Sequence, residues 1–282
     1  MALVLGLLAA FLWGISDFLI SVSGRSFGVH RAMLYAQGVG VLLVGGWIGL
    51  GGASFPEAAA LSSWAAAVIA APIGVVATLA LYQGLKIGQV SVVAPIAASF
   101  GAVTAALSLL GGEHVPLQTL LGIASVITGV MLVSFKAGDP VTKSSSSGAP
   151  WGVFSAVAYG VQFWIQGKFA VPELGSIWPV WIYYLSSASI LAVAAAVRRR
   201  PMALPVSGLA IVASTGGVAV CGFLALSAGL ATGELALVSV LASLQTIVTI
   251  CLACVFHRER LAMRQWAGLA VTLGGLATLH LQ

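Results

Sequence analysis

The chain has 282 residues, 60% of them hydrophobic and only 7% charged, with a mean hydropathy of +1.09; a soluble domain cannot hide that much apolar surface. A net charge of +5 and a pI near 9.4 would fit a nucleic-acid binder, but the basic residues stand singly or in short clusters between apolar runs and form no basic face. The 34 glycines and 10 prolines fit a polytopic helical membrane protein, in which close helix contacts and helix breaks are tolerated.

Apolar runs of membrane-spanning length are predicted at Leu3–Val22, Ala32–Leu50, Trp64–Leu85, Val90–Leu110 and Leu117–Phe135, and then at Trp151–Phe169, Ile177–Val197, Leu209–Leu230, Leu235–Phe256 and Gln265–Leu281. That makes ten spans. The first lacks the positive leader and cleavage signal of a secretory signal peptide and is expected to stay in the mature protein. Between the fifth and sixth spans lies KAGDPVTKSSSSGAP, Lys136 to Pro150, which has the composition of a linker. Cys221, Cys251 and Cys254 lie inside apolar runs and read as packing residues.

The stretch Ala80–Ser134 has a second copy at Ala225–His280. Gly84, Leu85 and Gly88 match Gly229, Leu230 and Gly233 at an offset of 145, and Glu113 and Gly122 match Glu259 and Gly268 at an offset of 146. Gly6, Trp13 and Gly14 align with Gly152, Tyr159 and Gly160, also at 146. The chain therefore reads as a duplication: a first repeat at 1–137, a linker at 138–149 and a second repeat at 150–282. An odd number of spans per half inserts the second copy upside down. The expected fold is an all-α membrane protein of ten transmembrane helices in two inverted five-helix repeats.

The Gly-Glu or Arg-Glu element after the fourth and ninth spans, each followed by a glycine-rich last helix, resembles the EamA domain. The second copy, HRERLAMRQWAGLAVTLGG, is the closer match, with the acidic-basic turn, the Trp and the spaced glycines; the first has His114 where a basic residue is usual. Two such domains make up the ten-helix drug/metabolite transporters, and within that superfamily the chain is most similar to the YddG type of aromatic amino-acid exporter. The resemblance implies a multi-pass protein of the bacterial inner membrane, with a small-molecule substrate and the lipid bilayer as its partners. It implies no cofactor and no nucleic acid, and leaves the oligomeric state open.

Enzymatic readings find little support. All four histidines, His30, His114, His257 and His280, fall near predicted span ends, with no buried nucleophile pairing, no G-x-S-x-G element and no metal-ligand spacing. Gly-x-Gly stretches such as that at Val39 lie inside spans, where they serve packing rather than nucleotide binding. Glu113 and Glu259 precede the last span of each half, where a carboxylate complements the positive N-terminal end of the following helix. Pro72 and Pro95 interrupt the third and fourth spans and are candidate hinges.

The rival functions are a metabolite or drug exporter, a flippase for lipid-linked metabolites and a membrane scaffold. A scaffold needs no polar interior, and this chain has one. Ser155, Tyr159, Gln162 and Gln166 recur at i, i+4, i+7 and i+11 on the sixth span, and Ser239, Ser243 and Thr246 repeat the pattern on the ninth. Polar faces are costly toward lipid and are expected to face a bundle or a watery cavity. Asp17 is the one carboxylate well inside a span, fit to exchange a proton or hold an ammonium group. Trp47, Trp64, Trp151, Trp178 and Trp266 lie near span ends, as interfacial anchors do, whereas Trp13, Tyr82, Tyr159 and Trp164 lie deep. Trp13 and Tyr159, at equivalent positions of the repeat, are expected to meet near the central axis and stack on an aromatic substrate. Gln83, Gln162, Ser99 and Ser243 would bond its polar groups. The expected function is a secondary transporter exporting Phe, Tyr, Trp and related amphipathic metabolites by alternating access around a midplane cavity.

Arg25, Arg31, Lys86, Lys136, Lys143, Arg198, Arg199, Arg200, Arg258, Arg260 and Arg264 fall in loops on one side of this topology, and only Lys168 falls on the other. Positive loops stay cytoplasmic. Both termini are therefore predicted to face outward, so that a C-terminal reporter fluorescent only in the cytoplasm stays dark; a bright reporter contradicts this orientation.

Overall fold

The computed structural model describes residues 1–87, 93, 96–134, 148–199, 203–257 and 263–280. Among them there are helices and turns and no strand. The first half carries α1 (Ala2–Phe27), α2 (Val29–Gly49), α3 (Leu61–Ile87), α4 (Phe100–Leu110) and α5 (Leu117–Ser134). The second carries α6 (Ala149–Ile165), a π-helical turn (Gln166–Ala170), α7 (Val171–Leu174), α8 (Ile177–Val197), α9 (Val206–Leu230), α10 (Leu235–Ala242), α11 (Gln245–His257) and α12 (Met263–His280). Among the described residues, five stretches are long and apolar enough to cross a membrane: Ala2–Ile20, Val29–Gly49, Leu61–Gly84, Ile177–Val197 and Gly208–Leu230. Ile96–Leu110, Leu117–Gly129 and Leu235–Thr249 are shorter apolar helices.

Local sequence explains the ends and breaks. One residue, Gly28, separates α1 from α2, and its φ of +84° is a left-handed conformation that a side chain would strain. Pro150 sits in the first turn of α6, where its missing N–H costs nothing. Pro72 lies exposed inside α3, whereas Pro95 lies outside the described residues. The ninth predicted span is not one helix but two, α10 and α11, parted by a turn at Ser243 and Leu244. A matching turn at Ser99 parts the helical residues 96–98 from α4. At each break the serine hydroxyl donates to the carbonyl three residues back, Ser99 to Ile96 and Ser243 to Val240, both at 2.6 Å. A broken helix leaves backbone groups that hydrocarbon cannot satisfy, so both breaks are held inside the bundle.

Helix pairing respects the duplication. α1 packs on α9 as α6 packs on α3, and α2 packs on α9 as α8 packs on α3. α4 lies on α6 as α11 lies on α1, while α2 with α8, α4 with α10 and α5 with α12 pair across the halves. Glycines make these approaches close, as small residues do where lipid gives no hydrophobic drive to association. Gly14 faces Val248 as its counterpart Gly160 faces Val103, and Gly6 faces Val238 and Leu241 as Gly152 faces Val93 and Ile96. Exchanging the halves maps each of these contacts onto the other.

At the centre of the α4–α10 crossing a Cβ on Gly101 would stand 2.7 Å from the Ser239 carbonyl oxygen and 2.9 Å from the Val240 Cα, while one on Gly46 would meet nothing within 4 Å. Backbone cannot yield as a flexible side chain can. Gly101→Ala is predicted to destabilise the purified protein by about 1–3 kcal/mol, seen as a lower thermal midpoint, with Gly46→Ala close to wild type. Equal midpoints for the two would mean that the helices do not cross as described.

Candidate functional site

The site is a cavity of about 100 Å³, room for several water molecules, walled by both halves of the chain. α1 contributes Trp13, Ser16, Asp17 and Ile20; α2 gives Met33, Ala36 and Gln37; α3 gives Thr78, Leu81 and Tyr82. Phe100, at the start of α4, adds a ring. From the second half come Tyr159, Gln162 and Phe163 on α6, Tyr183 and Tyr184 on α8, Thr215, Ala219 and Phe223 on α9, and Gln245 on α11. In α1, α2 and α3 these residues lie from mid-helix toward the end where Phe27 turns into Val29. The cavity is thus displaced toward that face.

Aromatic rings form much of the wall. Phe163, 2% exposed, is the hub: Trp13 stacks on it with centroids 5.7 Å apart, and Tyr159 stacks on it at 5.7 Å, nearly parallel at 7°. Phe163 thus links the two equivalent positions of the repeat. Phe100 and Phe223 meet it edge-on at 5.3 and 6.0 Å, and Tyr183 meets Phe223 at 4.9 Å. The indole N–H of Trp13 donates to the Ala219 carbonyl at 3.2 Å, which ties α1 to α9 and fixes the ring.

Polar side chains share the wall, and two sets of them stand out. Thr78 joins the first set: its hydroxyl lies 2.6 Å from the Tyr159 hydroxyl, 3.1 Å from that of Tyr183 and 2.8 Å from the Gly74 carbonyl. The second set has no partner. Gln162, 1% exposed, has both amide atoms unpaired, and the amide oxygens of Gln37 and Gln245 are likewise unpaired. Each such buried group costs about 1–3 kcal/mol unless something in the cavity bonds it. Asp17 is the one charged side chain among the described lining residues.

Of the residues singled out by sequence, the cavity brings together Trp13, Asp17, Tyr82, Tyr159 and Gln162. Gln83 is exposed and off the wall. Ser99 and Ser243 turn to their own backbone at the helix breaks. Trp164 lies against Phe169, with centroids 5.3 Å apart, and under the Lys168 ammonium; Gln166 is buried in the π-helical turn. Thr78, Phe163, Tyr183, Tyr184 and Phe223 were not anticipated. The adjacent Tyr183 and Tyr184, well inside the seventh span and away from the interface, were the available signal.

On the opposite face, bonds run between the halves. The Ala60 N–H donates to the Glu173 carboxylate at 2.7 Å, the Trp178 indole to the Ser54 carbonyl at 3.0 Å, and the Lys168 ammonium to the Gly111 carbonyl. Phe55, Trp64 and Trp178 cluster beside them. Glu113 does not serve the helix that follows it; its carboxylate accepts the Ala236 N–H at the start of α10, in the other half, at 3.3 Å. Burial raises the Glu113 pKa above the ordinary value, and the Ala236 N–H works against that shift. Glu259 lies outside the described residues.

A model of the EamA-like transporter family matches residues 1–135 and again 146–281. The chain belongs to the EamA-like transporter family. A solved crystal structure 18% identical in sequence superposes on 99% of this EamA-like chain and 96% of its own, with a TM-score of 0.79, which shows a shared fold. No curated protein sequence matches the chain. The family and the apolar helices make this EamA-like protein a multi-pass membrane transporter of small metabolites.

Proposed function

We propose that this EamA-like protein is a secondary transporter that exports aromatic amino acids (Phe, Tyr, Trp) and related small amphipathic metabolites from the bacterial cell across the inner membrane. In this reading it has ten spans in two inverted repeats, 1–137 and 150–282, joined by a linker at 138–149. The transport cycle is alternating access around the central cavity. Pairing of the helices that survives exchange of the halves supports the pseudo-twofold arrangement. Cross-half bonds on the Glu113 face, with the cavity displaced to the other face, are what one end state of such a cycle requires.

The observation that carries the substrate reading is the ring-lined wall around Phe163, on which a planar guest can stack or meet an edge. Asp17 and Gln162 supply polar contacts beside it. No substrate carboxylate or amine is assigned to Ser99, Ser243 or Gln83, given where those side chains lie.

In proteoliposomes, Tyr82→Ala and Phe163→Ala are predicted to slow Phe and Trp transport more than threonine transport. An aromatic pair is worth about 0.5–1.5 kcal/mol beyond its buried area, or up to about tenfold. Trp164→Ala, off the cavity, should affect both classes alike. Equal losses of both classes in the Tyr82 and Phe163 variants would leave a transporter without aromatic preference.

A further inference from the structure

The polar complement of the cavity is lopsided in charge. Asp17 brings a carboxylate, and Gln37, Gln162 and Gln245 each bring an amide oxygen with no partner. Gln37 is 8% exposed and Gln162 is 1% exposed, so bulk water does not serve them. Donors are present as well, the amide nitrogen of Gln162 and the hydroxyls of Tyr82 and Tyr184 among them, but all of them are neutral. The hydroxyls of Thr78, Tyr159 and Tyr183 are spent on one another and on the Gly74 carbonyl. Among the described lining residues there is no lysine, arginine or histidine.

Such a wall is complementary to a cationic guest. An ammonium group would meet the Asp17 carboxylate, while the faces of Trp13 and the neighbouring rings attract a cation through their negative π-surface. A carboxylate would fare differently. It would find only neutral donors and stand in a low-dielectric space with Asp17, where like charges repel far more than in water. A zwitterion presents both groups at once, so its ammonium gains what its carboxylate loses.

We propose that the cavity selects its guest by charge, taking a monocationic aromatic amine in preference to the amino acid that carries the same ring. Asp17 is the group that makes the distinction. This rests on the reading above that the cavity takes aromatic guests, and it adds the electrostatic class of those it holds best.

The test is equilibrium binding to the purified full-length protein in lipid nanodiscs with four probes that share one ring: tryptamine (cation), tryptophan (zwitterion), indole (neutral) and indole-3-acetate (anion). The expected order is tryptamine first, at least tenfold tighter than tryptophan and indole, with indole-3-acetate weakest. The wild-type ranking needs no variant. Asp17→Asn is expected to close the gap between tryptamine and indole, and Asp17→Glu to keep it open. Tryptophan binding as tightly as tryptamine overturns the charge selection and leaves the aromatic cavity standing, as does a tryptamine-to-indole gap undiminished in Asp17→Asn. Failure of all four probes to bind overturns the aromatic reading, and the charge selection with it.

Discussion

A carboxylate at the depth of a membrane span carries a desolvation penalty of about 2.5–3.5 kcal/mol at the least, and the architecture accommodates only one such group where it can be described. Glu57, Glu113, Glu173 and Glu234 all stand between the long helices, whereas Asp17 sits inside α1. Its position is tolerable because α1 is not turned to lipid there but to a cavity. The stacked rings of Trp13, Phe163 and Tyr159 line that cavity, and the Tyr159 hydroxyl reaches Thr78 on α3, which also meets Tyr183 on α8. Gln37, Gln162 and Gln245 line the same cavity.

The same wall shows how duplication is put to use. At the offset of 146 that aligns α1 with α6, Trp13, Ser16 and Asp17 correspond to Tyr159, Gln162 and Phe163, all of them lining residues. At 145, Thr78 corresponds to Phe223 and Phe100 to Gln245, again all lining residues. The positions are shared but the chemistry is not. A scaffold that pairs its helices alike in both halves thus surrounds a site whose charge lies on one side and whose central ring lies on the other.

Hydropathy made the helical membrane fold legible, because a span must be apolar over its whole length, and the spaced identities between halves made the duplication legible. The helix breaks were hidden. Nothing at Ser243 or Leu244 resembles a breaker, and the Ser243 hydroxyl that bonds the Val240 carbonyl at the turn reads in sequence as one more polar residue on a helix face. Among site residues, depth along a span identified Trp13, Asp17 and Tyr82, but depth does not give the direction of a side chain. Gln83 follows Tyr82 by one residue and so points about 100° away around the helix, which is enough to take it off the wall. Phe163 and Phe223 were invisible for another reason: an aromatic residue inside an apolar run looks the same whether it faces lipid or a cavity. The reach of Glu113 across the halves is tertiary, and its place before α5 read locally as a cap for the wrong helix.

The account stands or falls on whether one cavity, shared by the halves, opens to a single face at a time. A protein lacking its native cysteines and carrying Ala36→Cys, a half-buried position on the cavity wall, in right-side-out and inverted vesicles, would report this through the labelling rate with a membrane-impermeant maleimide, with and without an aromatic amino acid. The account predicts fast labelling from the face that holds the α1–α2 turn, slow labelling from the Glu113 face, and a change in both rates when substrate is present. Equal labelling from both faces, or rates indifferent to substrate, would contradict it.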